Sequence, residues 1–235
     1  MLPVYLQTGE QSDFSAVEEA GYEVILRSDI LAILHQAIND GSSNIILHDY
    51  YKYLKWIEDA VNSYRNEKDE WNEWYGWQGF YQELKREALE GFDDCHWGYS
   101  ANARGGFLVF YWHWRECPKG KVYLQIEHTL KAEPEQNSIC FKIKPDENVD
   151  RREMRWFWHE KILESAEKLG FPACKPARFG NGKHMTVAVY YDSTQSDNPL
   201  EFRIFKPDGR FDFDATVNTI LKAQRVLDHA VKSLK

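Results

Sequence analysis

The sequence predicts an α+β fold: an antiparallel sheet flanked by helices and preceded by a helical segment. Three observations predict it. Three strand patterns follow one another between residues 107 and 144, as an antiparallel meander would. Apolar residues recur at helical spacing before and after them. The chain opens on two short apolar strand patterns that have no visible partner.

Taken in order, Val4 to Leu6 is the first of those short strands and Tyr22-Glu23-Val24-Ile25-Leu26 the second. Ser28 is placed to cap a helix carrying Ile30, Leu31, Ile33, Leu34, Ala37 and Ile38, which stops at Gly41. A longer helix carries Leu47, Tyr50, Tyr51, Leu54, Ile57, Val61 and Tyr64. Residues 65–70 are polar or charged throughout, which marks the expected domain boundary: residues 1–64 before it, residues 71–235 after it. The next helix aligns Trp74, Trp77, Tyr81, Leu84 and Ala88 on one stripe and ends near Gly91.

Gly105-Gly106 then leads into Phe107-Leu108-Val109-Phe110-Tyr111-Trp112-His113-Trp114. Its first residues are apolar on both faces, as in a strand covered on both sides. Further on, alternation puts Trp112 and Trp114 on one face and His113 and Arg115 on the other. After Cys117-Pro118-Lys119-Gly120, Val122 to Glu127 alternates cleanly, and so does Ile139 to Lys144. Asp150 with Glu153 three residues later is a capping-box pattern opening a helix through Trp158, Ile162, Ala166 and Leu169. Gly180-Asn181-Gly182, flanked by Pro176 to Phe179 and Lys183 to Val189, signals a hairpin. The last helix carries Val217, Ile220, Leu221, Gln224, Leu227, Val231 and Leu234, with Asp212 and Asp214 at its start.

A chain of 235 residues buries one good core or two small ones. Its net charge of −8 excludes a surface that is a phosphate-binding field overall, so any nucleic-acid contact needs a local basic patch. Four scattered cysteines without a Cys-x-x-Cys, and no secretory leader, point to reduced thiols in a cytoplasmic protein. No apolar run reaches the length of a membrane span.

Four stretches carry a family resemblance. They are Val4-Tyr5-Leu6-Gln7-Thr8-Gly9; Tyr22 to Leu34; Trp77-Gln78-Gly79-Phe80-Tyr81 with Gly105-Gly106-Phe107; and Pro176-Ala177-Arg178-Phe179-Gly180 with Met185-Thr186-Val187-Ala188. On these the chain resembles the C-terminal region of a bacterial PD-(D/E)XK nuclease superfamily protein. The resemblance implies that residues 1–64 are the tail of a nuclease-like α/β domain plus helices, and residues 71–235 an α+β accessory domain. Nucleases of this superfamily place an Asp and a Glu-x-Lys on adjacent strands, where the carboxylates hold a divalent metal. Here the one Glu-x-Lys, Glu83-Leu84-Lys85, falls on a helical stripe, and no such strand follows Pro145-Asp146. The catalytic half expected upstream of Val4 is not in the chain, which is then a fragment or a stand-alone remnant. No catalytic residue and no cofactor are therefore expected in this chain; magnesium belongs only to a complete nuclease core.

The candidate site residues follow from charge and aromaticity. Arg151, Arg152 and Arg155 crowd the first turns of a helix, where cations oppose the dipole. Either an anionic partner or carboxylates such as Glu133 or Asp146 should compensate. Lys142 and Lys144 share a strand face, as a basic surface or as edge-strand protection. Arg178, Lys183 and His184 surround the glycine turn. Together these make the expected nucleic-acid surface. Trp112 and Trp114 are the stacking candidates, with core packing against the Trp74/Trp77 helix as the competing role. His113, Glu127 and His128 make no metal site, because neighbours on a strand point to opposite faces. The expected function is an accessory region for DNA recognition or assembly. The alternative is an interaction or dimerisation domain that binds no nucleic acid. The expected partners are DNA, the missing nuclease core or a second copy, and no membrane.

Overall fold

The computed structural model describes residues 3–11, 13–71, 74–88, 94–101, 106–129, 136–195 and 198–234. Gly105, Gly91 and Glu133 lie outside the described residues. The chain forms two compact units, Met1–Glu83 and Leu84–Lys235. The α+β reading holds: the second unit is a six-stranded antiparallel sheet with helices on it. No helix among the described residues is long and apolar enough to cross a membrane.

In the first unit β1 (Val4–Leu6) and β2 (Glu23–Ile25) pair in parallel, joined through α1 (Ser15–Glu19). α2 (Arg27–Asn39) starts earlier than its apolar pattern. Ser28 is thus inside the helix and not its cap, and the Asp29 carboxylate instead accepts the Leu26 N–H at 3.0 Å. Arg27 is buried between two carboxylates, Glu10 at 2.6 Å and Glu58 at 2.8 Å, and donates to the Thr8 carbonyl. One guanidinium thereby ties the loop after β1 to α3 (Ile45–Asn62). The Asn44 side chain accepts from the first N–H groups of α3. Leu54, Ile57 and Val61 of α3 form a small core with Ile30, Leu31, Leu34 and Tyr75.

Residues 65–70 lie inside this unit rather than at its edge. Arg65 ends one 3₁₀ turn, Ser63–Arg65, and residues 68–70 form a second, Lys68–Glu70. The break falls later because α4 (Tyr75–Glu83) packs back on α3, with Tyr64, Trp71, Trp77 and Phe80 in mutual ring contact. Close approach needs the glycines of α4. A Cβ on Gly79 would stand 2.1 Å from the Val61 carbonyl oxygen, and one on Gly76 2.8 Å from the Ser63 hydroxyl. After Glu83 the α-helix gives way to a π-helical turn, Leu84–Ala88.

The sheet of the second unit runs β3-β4-β5-β6-β8-β7: His96–Ser100, Phe107–Cys117, Gly120–Thr129, Gln136–Pro145, Met185–Tyr190 and Ala173–Cys174. α5 (Arg151–Lys168) and α6 (Phe213–Lys232) pack on it. Alternate residues Leu108, Phe110, Trp112, Leu124, Ile126, Ile139 and Phe141 are fully buried. They face the helix side with Trp158, Ile162, Ile220 and Leu227. Asp150 caps α5 as its pattern predicts, accepting from the N–H groups of Arg152 and Glu153.

The glycine turn at residues 180–182 does not close a two-residue hairpin. β8 pairs instead with β7 at Ala173↔Tyr190 and Cys174↔Val189, leaving residues 175–184 as a long connection. Pro176 cannot donate to a ladder and ends the strand. Arg151 and Arg155 then hold the connection, donating to the carbonyls of Asn181 and Gly180.

Candidate nucleic-acid interface

β4 carries one more residue than its partner. Trp112 opposes Leu124, yet Arg115 opposes Val122, so His113 and Trp114 together face the single step at Tyr123. This is a β-bulge. His113 sits at φ +61°, a left-handed conformation that costs a non-glycine residue about 1–2 kcal/mol. Its ring helps hold that conformation. It is buried, with Nε2 3.0 Å from Asp228 of α6 and Nδ1 3.1 Å from the Arg115 guanidinium. Arg115 can only donate, so Nδ1 accepts and Nε2 donates: the imidazole is neutral. Burial first of all lowers its pKa, with Asp228 opposing. Asp94 accepts the Trp114 N–H at 2.7 Å.

The bulge separates the two tryptophans that strict alternation puts on one face. Trp112 is fully buried and its indole N–H donates to Gln224 of α6 at 3.0 Å. It is core and cannot stack a ligand. Trp114 turns to the second face of the sheet and stacks on Tyr123, ring centroids 3.8 Å apart and 13° from parallel. His184 stands edge-on to both rings and is 2.9 Å from the Tyr123 hydroxyl. With Tyr111, Gln125 and Lys142 these rings line a cavity of about 420 Å³.

Positive charge gathers at the His184 corner. Burial lowers the pKa of His184, and the charges of Lys144, Lys142 and Lys183 lower it further. The ring is thus held neutral in a field of three ammonium groups. Burial first, then the Glu127 charge, raises the pKa of Tyr123, so the phenol keeps its proton.

The expected basic group is brought together only in part. Lys142 is neither an outward nor an edge lysine. β6 lies between β5 and β8, and the Lys142 ammonium pairs with Glu127 at 2.7 Å. Lys144, Lys183, Arg178 and Arg152 have no ion-pair partner among the described residues. Arg151 and Arg155 compensate through backbone carbonyls and not through Asp146, and Arg155 also lies over the Phe179 ring at 5.1 Å. Sequence reasoning misses Gln125, Tyr111 and Tyr123 as site residues. A signal existed in the alternation of β5, which puts Tyr123, Gln125 and Glu127 on one face.

His113, Glu127 and His128 do not converge in space. Glu127 is on the second face, while His128 is buried on the helix side against Asn137. Among the described residues no three His, Cys, Asp or Glu side chains could together hold a metal ion. No family model, curated protein or solved structure matches this chain.

Proposed function

We propose that this chain is the accessory region of a PD-(D/E)XK nuclease-like protein, recognising DNA without an active site of its own. The family part rests on the four stretches of resemblance. The DNA part rests on one observation: the aromatic cavity at Trp114 and Tyr123 opens beside the lysines around His184. Trp114, half-buried over the buried ring of Tyr123, is the flat ring open to an unpaired base, and the neighbouring ammonium groups donate to its phosphates. A reduced, cytoplasmic setting belongs to the same proposal, since Cys95, Cys117, Cys140 and Cys174 are free thiols.

Fluorescence anisotropy with a labelled single-stranded dT oligonucleotide tests the reading. Binding should weaken steeply with salt. Trp114→Ala should reduce affinity roughly 5- to 150-fold, the worth of one stacked base. Reversing Lys183 and Arg152 to Glu should lower affinity and flatten the salt slope. Binding that ignores all three changes would remove the sheet face from consideration.

The same protein should leave DNA uncut in magnesium or manganese. Glu83 closes α4 and pairs with Arg65, Lys85 lies in the π-helical turn, and Asp146 follows the end of β6. The three do not form a strand-borne pair of carboxylates with a lysine. Metal-dependent nicking that one carboxylate substitution in this chain abolishes would contradict the proposal.

A second reading, protein association, has its own observation. Val4, Leu6, Ile33, Ile45, Ile46, Tyr53 and Trp56 of the first unit are all exposed. Association through such apolar surface would be insensitive to salt, in contrast to phosphate binding.

A further inference from the structure

Glu127 stands two residues beyond Gln125 on the same face of β5. One of its oxygens is heavily used: Gln125 Nε2 and Lys142 Nζ both donate to Oε1, each at 2.7 Å. The other, Oε2, has no hydrogen-bond partner among the described residues. The Glu127–Lys142 pair stands between two cavities. Lys142 lines the aromatic one, and Glu127 lines a second of about 570 Å³, within the size range of small-ligand sites. Ser138, Cys140 and Thr186 of the sheet contribute to this second cavity, with Pro176, Pro199 and Leu200 from the adjoining loops. Arg178 lines it too, exposed and without an ion-pair partner among the described residues.

Each part of this cavity asks for a different chemistry. A carboxylate oxygen with spare lone pairs accepts N–H donors. A free guanidinium matches the oxygens of a phosphate. The proline and leucine surfaces in the same lining suit a flat ring. Guanine alone among the DNA bases offers two adjacent donors, its N1–H and its 2-amino group, on the pairing edge. Thymine offers one N–H flanked by carbonyl oxygens that a carboxylate repels. Adenine and cytosine offer an amino group beside a ring-nitrogen acceptor.

We propose that this second cavity receives a guanine nucleotide, its pairing edge on Glu127 and its phosphate on Arg178. The proposal rests on the nucleic-acid reading of the sheet face and deepens it. The aromatic cavity takes any base, and the second cavity selects guanine beside it. Tyr123 and Glu127 are four residues apart on one strand, about 13 Å, so the two positions belong to neighbouring parts of one extended strand.

The test uses the full chain, with GMP and AMP titrated by calorimetry. A dT oligonucleotide is compared with the same oligonucleotide carrying one dG. GMP should bind roughly tenfold or more tightly than AMP, and the dG should strengthen oligonucleotide binding by a similar factor. Glu127→Gln, nearly isosteric, should erase both preferences. Arg178→Ala, an exposed change, should weaken GMP more than guanosine. Equal binding of GMP and AMP, or a guanine preference that survives Glu127→Gln, overturns the proposal. Salt-sensitive dT binding with no guanine preference leaves the DNA reading standing and this proposal lost. GMP binding that depends on Glu127, without oligonucleotide binding, keeps the guanine site and sinks the DNA reading. No binding of any probe sinks both.

Discussion

Trp112→Ala should cost the protein about 3–5 kcal/mol of stability, the range for removing a fully buried large aromatic side chain. The ring has no exposed surface, lies 5.6 Å from Phe110, and donates its N–H to Gln224. Truncation empties that volume and strands the Gln224 oxygen, itself buried, without its donor. Urea denaturation followed by circular dichroism measures the loss. Trp114→Ala, two residues away, should cost distinctly less, because that ring is only half-buried and its removal opens an existing cavity wider. Equal losses at the two positions would mean that the bulge does not separate them. A loss below about 1 kcal/mol for Trp112 would remove it from the core.

Gly79→Ala should destabilise the first unit by about 3 kcal/mol, the upper end of overpacking costs. In an ordinary helix interior the same change stabilises by roughly 0.5–1 kcal/mol, because alanine loses less freedom on folding. The sign is reversed here by contact with backbone. The new methyl would meet the Val61 carbonyl oxygen at 2.1 Å, and a carbonyl inside α3 cannot rotate aside as a side chain can. α4 would have to withdraw from α3 and loosen the rings of Trp71, Trp77 and Phe80. Thermal unfolding with near-ultraviolet circular dichroism checks this. A raised melting temperature would show that the helices do not touch at Gly79.

Much of the fold was legible because its signals are local. The α5 cap at Asp150, the alternation of β5 and β6 and the stripe of α6 each follow from residues a few positions apart. What was not legible depends on partners distant in sequence. β3 is a five-residue pattern interrupted by Gly98, and its strand identity comes from pairing with β4. The domain boundary moved because aromatic contacts at Tyr64 and Trp71 outweigh a charged run. The glycine turn looked like a hairpin until Arg151 and Arg155, some 25–30 residues earlier, claimed its carbonyls. At the candidate site, Trp114 stood out in the sequence as a large ring near a strand end, but its face did not. The bulge has no glycine to announce it, and what holds it is Asp228, 115 residues from His113. Lys142 looked exposed because its ion pair reaches across to another strand, past Gln125 and Cys140.

The bulge also makes chain length a determinant in its own right. Losing the single codon for His113 would remove nothing apolar from the chain. Alternation would then run unbroken from Trp112, with Trp114 opposite Tyr123 and Arg115 still opposite Val122, so every remaining residue of β4 would keep its face. Trp114 would stay beside the ring of Tyr123, and what would go is the imidazole that ties β4 to Asp228 of α6. Among chains that share this meander, a one-residue gap at His113 therefore marks the loss of the tie to α6 and not the loss of the cavity.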